Sequence, residues 1–90
     1  MTTKFTPGPW VTIAGTKASL ITNKSEVGIG FVSQWADSPE ASEESTANAH
    51  LIAAAPTMYE VLDWLDHKGG LGLDVHAVIS TALASARGEA

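Results

Sequence analysis

The sequence contains no cysteine, only five lysines and arginines, and 7% aromatic residues. Without cysteine there is no disulfide framework, no thiolate metal site and no thiol redox chemistry, and a reducing cytosol is the compartment that fits. Nucleic acid is disfavoured as a direct ligand, because displacing condensed counterions takes a cluster of cations. Here Lys4, Lys17, Lys24, Lys68 and Arg87 are scattered along the chain. No apolar run approaches the roughly 20 residues that cross a bilayer. The opening segment has no apolar stretch behind Lys4, so a secretory signal is not expected and the protein is placed in the cytoplasm of the cell that makes it.

Catalytic signatures are missing as well. His50, His67 and His76, with Asp63, Asp66 and Asp74 beside them, are the residues on which acid-base or metal chemistry would have to rest. None falls in an H-E-x-x-H or comparable spacing. No serine sits in a Gly-x-Ser-x-Gly turn. Gly69-Gly70-Leu71-Gly72 lacks the lysine and the strand-loop-helix setting of a phosphate loop, and reads as a hinge between helices. The expectation is a non-enzymatic protein with no cofactor and no metal.

What is present is acid. The formal charge is −5, and eight of the ten acidic residues (Glu26, Asp37, Glu40, Glu43, Glu44, Glu60, Asp63, Asp66) lie between Ser25 and His67, where there is no lysine or arginine. Such a field suits a basic partner and steers its approach. Trp10, Trp35 and Trp64 are the side chains best able to anchor an interface. Trp10 opens a strand and belongs with the core. Trp35 stands among polar residues, and with Asp37, Glu40, Glu43 and Glu44 it forms the expected partner-binding set.

Ninety residues make one domain, since a second core would need roughly 50 residues of its own. At this size only about two thirds of the unfolded surface is buried, so self-association would add stability. Three short segments rich in β-branched and aromatic residues, residues 10–14, 19–22 and 27–33, predict an antiparallel meander. In the third, Val27, Ile29 and Phe31 alternate on one face, and Gly28 and Gly30 leave room opposite for a close neighbour. Residues 34–46 read as an acidic loop in which Ser38-Pro39-Glu40 can open a short helix.

A helix is predicted from about Glu44 to Ala55, with Ala47, Leu51 and Ala54 or Ala55 on its inner face, ended or kinked by Pro56. Thr57 and Glu60 match a capping box for a second helix with Met58, Val61, Leu62 and Leu65 as its stripe. Asp74 is expected to cap a third, in which Val75, Val78, Ile79, Ala82, Leu83 and Ala86 recur at helical spacing. The order β-β-β-α-α-α is the α+β pattern, with helices on one face of a small sheet.

Two segments, Phe5-Thr-Pro-Gly-Pro-Trp10 and Asn48-Ala-His-Leu-Ile-Ala-Ala-Ala-Pro56, together resemble a widespread group of small phage and prophage accessory proteins. Members of that group begin with T-P-G-P-W and carry N-A-x-L-I-A-A-A-P before an amphipathic helix. The terminal residues 82–88 are similar to their tails. Where relatives have an acidic-leucine run after the proline, this chain has Thr57-Met58-Tyr59-Glu60. Asn48, a poor helix former before an apolar run, is expected to hydrogen-bond the preceding loop or a strand.

The resemblance implies a phage setting and assigns no functional residue. Small acidic phage proteins resemble inhibitors of bacterial defence nucleases, which implies a modulator of a host defence protein, such as an anti-CRISPR, with an acidic face on a basic, nucleic-acid-binding surface. The alternatives are a binder of small nucleotide signals, which would need Lys4, Lys17, Lys24 or Arg87 gathered by oligomerisation, and a structural or assembly protein.

Overall fold

Short runs of β-branched residues separated by turn formers give the sheet. The computed structural model describes residues 4–15, 17–23, 25 and 27–89. Lys24 and Glu26, named above, lie outside them. Strands β1 (Trp10–Ala14), β2 (Ala18–Asn23) and β3 (Gly28–Ser33) form an antiparallel meander in the order β1-β2-β3. Asn23 organises the second turn, its side-chain oxygen accepting from the amides of Ser25 (3.0 Å) and Val27 (2.9 Å). β2 is central and holds the buried residues Ser19, Ile21 and Thr22.

β3 departs from simple alternation. Ile21 pairs with Gly30 but Thr22 pairs with Gly28, so Ile29 is an extra residue in the ladder. The bulge breaks the expected single face: Ile29 is half-buried, whereas Phe31 joins Leu20 and Ile13 in an outward row and is 71% exposed. Gly28 and Gly30 leave the expected room, but among the described residues nothing fills it: a Cβ on either would meet nothing within 4 Å.

The chain leaves β3 through residues 34–38 and enters α1 (Pro39–Ala53), several residues earlier than composition suggests. Ser38 is the N-cap, accepting from the Ala41 amide at 3.1 Å, and Pro39 occupies the first turn, where its missing N–H costs nothing. Most of the expected acidic loop is therefore helix. Its buried face is Ala41, Ser45 and Ala49, not Ala47 and Leu51, which are exposed. Side chains this small let α1 lie against all three strands. The Ser45 hydroxyl donates to the Val32 carbonyl at 3.4 Å. Asn48 is exposed, and its side chain makes no hydrogen bond among the described residues.

Helix α1 stops at Ala53, and α2 (Ala55–Lys68) starts with Pro56 as its second residue. Proline is tolerated in a first turn and would clash in a continuing helix, so the break falls just upstream of it. Thr57 is already helical and forms no capping box. Pro56 is buried against the N-terminal turn: a Cβ on Gly8 would lie 2.8 Å from the Pro56 Cβ. The two segments that carry the phage resemblance are thus packed on each other.

By backbone contacts the chain divides into two compact units, Met1–Pro56 and Thr57–Ala90. The first holds the sheet and α1. The second holds the rest of α2 and α3 (Leu73–Ala86). Gly69 and Gly70, both at positive φ, turn the chain between these helices. Gly72, not Asp74, is the N-cap of α3, and Asp74 lies in the first turn, where the helix dipole favours it. A Schellman motif closes α3: Glu89 N–H donates to Ala84 at 2.8 Å and Gly88 N–H, at positive φ, to Ser85 at 3.0 Å. Of the expected α3 stripe only Ile79 and Leu83 are buried; Val75, Val78, Ala82 and Ala86 are exposed. On α2, Leu62 and Leu65 are half-buried and Met58 and Val61 exposed.

Candidate functional site

The acidic residues and Trp35 meet at the start of α1. The short connection before it is held by the Gln34 amide donating to Lys17 O at 2.9 Å and by Gln34 Nε2 donating to Ala36 O at 2.7 Å. Trp35 projects from this connection, 68% exposed. Its indole N–H donates to Glu44 Oε2 at 3.3 Å, across nine positions of sequence. Asp37 is exposed in the same connection. With about 100° between successive helical residues, Glu40 and Glu44 stand one above the other and Glu43 beside them, on the side of α1 turned away from Ala41, Ser45 and Ala49. The structure thus brings Trp35 to Glu44 and places Glu40 and Glu43 on the same helix side.

Energetics separates helix stabilisation from surplus charge. Glu40 in the first turn gains about 0.3–1 kcal/mol from the helix dipole. Glu43 and Glu44 lie beyond that turn and gain little, while a like-charged Glu40–Glu44 pair one turn apart costs about 0.2–0.5 kcal/mol. No lysine or arginine pairs with any of the four acids among the described residues. The charge on Glu43 and Glu44 is therefore not required by α1 itself.

The other ionisable groups tie α2 to α3. Arg87 donates through Nε to the Tyr59 hydroxyl at 2.7 Å, with Nη2 3.5 Å from Asp63 Oδ1. That bond to Tyr59 is the chief cause of a raised Arg87 pKa. Asp63 Oδ1 has two nitrogen neighbours, Arg87 Nη2 and His67 Nδ1 (3.6 Å), yet no hydrogen bond of good geometry. His67 Nδ1 lies 2.8 Å from the Asp63 carbonyl. Nothing local in the sequence announces a tie between residues 28 positions apart.

Asp66, His76 and Ser80 also converge: His76 Nδ1 is 3.2 Å from Asp66 Oδ1, and Ser80 Oγ is 3.5 Å from His76 Nε2. The residue types are those of a nucleophilic triad, but the geometry is not. Ser80 Oγ lies closer to Asp66 Oδ1 (3.1 Å) than to the imidazole (3.5 Å), so its nearer acceptor is the carboxylate and not the base a triad requires. The cluster serves as a cross-helix tie. No group of three or more histidine or acidic side chains among the described residues is arranged to hold a metal ion.

The remaining aromatic candidates are less available. Trp10 is half-buried, donates to Thr6 O at 3.0 Å and stacks edge-on against Phe5 at 6.4 Å. Trp64 is exposed, with the Lys68 ammonium 5.0 Å from its ring centre. No helix among the described residues is long and apolar enough to cross a membrane.

An antiparallel sheet backed by a small-residue helix, with an acidic helix start beside the exposed indole of Trp35, defines a small α+β protein with a charged surface feature. All of the chain, residues 1–90, matches the family described as Salmonella phage P22 protein Y8K6. The chain belongs to that phage protein family. No curated protein and no solved structure gave a match.

Proposed function

We propose that this phage protein is a non-enzymatic inhibitor or modulator of a basic host defence protein, such as an anti-CRISPR, acting in the bacterial cytoplasm. Its contact surface is Trp35 with Asp37, Glu40, Glu43 and Glu44. The observation that supports the reading most is the exposed indole of Trp35 bonded to Glu44 inside a patch of uncompensated acids. A planar aromatic group gives contact area at low entropic cost, and carboxylates spaced along a helix can occupy sites that phosphates fill on a nucleic-acid-binding protein. A nucleotide-binding role is less well supported, because Arg87 is tied to Tyr59 and Asp63 and leaves few cations for a phosphate.

The test is a plaque assay on a host with active CRISPR immunity, paired with binding to the purified effector complex at low and high salt. The parent protein is expected to restore plaques and to bind more weakly as the Debye length falls from about 10 Å at 0.1 M to about 3 Å at 1 M. Changing Asp37, Glu40, Glu43 and Glu44 to their amides keeps shape and removes charge; binding should be lost with the circular dichroism spectrum unchanged. Trp35→Ala should weaken it at least tenfold. Equal binding by the quadruple variant at both salts sinks the proposal.

A further inference from the structure

Trp35 is the first residue beyond the sheet, and the chain on both sides of it is tied down. The Gln34 amide bonded to Lys17 O extends the β2–β3 ladder one pair past Ala18 and Ser33, so the backbone entering Trp35 is fixed. The Gln34 side chain then reaches past Trp35 to the Ala36 carbonyl at 2.7 Å, which fixes the backbone leaving it. Beyond Ala36 the Ser38 cap sets the start of α1 and with it the place of Glu44. The tip of the ring is the last attachment, the indole N–H donating to Glu44 Oε2 at 3.3 Å. All of these residues lie in one compact unit, Met1–Pro56.

The ring itself is 68% exposed. An exposed indole needs no such ties for its own sake, because water satisfies its N–H and several rotamers are open to it. What the ties supply is a single pose. A side chain already immobile loses no freedom when a partner covers it, a difference of about three- to tenfold in affinity. We infer that Gln34 and Glu44 are positioning residues for Trp35, which present the indole in the pose in which the basic partner takes it. The inference rests on the contact surface proposed above and divides its acids into two roles. Asp37, Glu40 and Glu43 act through charge. Glu44 acts through an oxygen that accepts from the indole, and an uncharged amide oxygen in the same place can replace it. Gln34, outside the acidic set, acts through the backbone on either side of the ring.

The test compares Glu44→Gln with Glu44→Ala, which remove the same charge but differ in the acceptor, and adds Gln34→Met, which keeps side-chain length and loses the donor. Nitrogen relaxation of the Trp35 indole N–H, assigned by its disappearance in Trp35→Phe, reads ring motion in the protein alone. The indole should be ordered in the parent and in Glu44→Gln, and mobile in Glu44→Ala and Gln34→Met, with circular dichroism unchanged. Binding to the purified effector complex should follow the ring and not the charge: Glu44→Gln stays near the parent, while Glu44→Ala and Gln34→Met weaken binding about three- to tenfold. In a Trp35→Ala background Gln34→Met should weaken binding no further, and Glu44→Ala no more than Glu44→Gln does. Should Gln34→Met not fold, the two Glu44 variants decide. A mobile indole in the parent, an ordered one in Glu44→Ala, Glu44→Gln as weak as Glu44→Ala, or losses that persist without the ring would each overturn the inference. A parent that does not bind the effector complex would remove the proposed target, and the relaxation comparison alone would then decide whether Gln34 and Glu44 hold the ring.

Discussion

The contact between Gly8 and Pro56 shows how much can hang on one missing side chain. The two segments are 48 positions apart in sequence (56 − 8), and they meet so closely that a methyl group on Gly8 would sit 2.8 Å from the proline ring carbon. A buried proline cannot yield as a flexible side chain would, so Gly8→Ala should cost about 1–3 kcal/mol, the usual range for overpacking. Gly30→Ala supplies the contrast. It adds the same methyl group into open space in a strand, where glycine is the worse residue by about 0.5–1 kcal/mol, and should be neutral or stabilising. Urea denaturation of both variants checks the pair. Equal midpoints would mean that the packing of the N-terminal turn on Pro56 contributes nothing.

The helices differ in what holds them. α1 is fixed by its serine cap and by a stripe of small side chains laid on the sheet. α3 depends on Ile79 and Leu83, and Leu83 is 1% exposed. Leu83→Asp puts a charge into that buried position, where Arg87 one turn on is already engaged by Tyr59 and Asp63, a change worth several kcal/mol against a domain stability of about 5–15 kcal/mol. We expect loss of helical ellipticity from the second unit, or insoluble protein. A soluble variant that melts like the parent would show that α3 does not pack as described. α2 and α3 also share the Arg87–Tyr59–Asp63 tie, but an ion pair whose cation is open to solvent is screened and does not replace the apolar packing.

For the molecule as a whole, charge separates by position rather than by sum. Among the described residues the acids of α1 stand without cations, whereas on α2 Asp63 lies beside Arg87 and His67, and Asp66 beside His76. Histidine therefore acts in ties or stands at the surface, as His50 does on α1. Replacing His50, His67 and His76 together by glutamine removes only exposed pairs, at a cost within about 1 kcal/mol each. The triple variant should protect phage in the plaque assay as well as the parent does. Loss of protection with an unchanged melting temperature would point to an enzymatic or metal-dependent function.

The order of elements was determined by sequence alone, because it rests on local chemistry: β-branched runs between turn formers, Ser38-Pro39 as a helix start, and glycines after α2. The acidic set around Trp35 was legible for the same reason, since neighbours along the chain stay neighbours in a connection and the first turns of a helix. Tertiary structure decided the rest. Ala41, Ser45 and Ala49 form the inner face of α1 only because a sheet lies close enough to exclude anything larger, and small residues leave no hydrophobic period to read. The bulge at Ile29 is set by pairing with β2, which single-strand alternation cannot anticipate. The bond from Trp35 to Glu44, the packing of Gly8 on Pro56 and the tie of Arg87 to Tyr59 each join residues that only the folded chain makes adjacent.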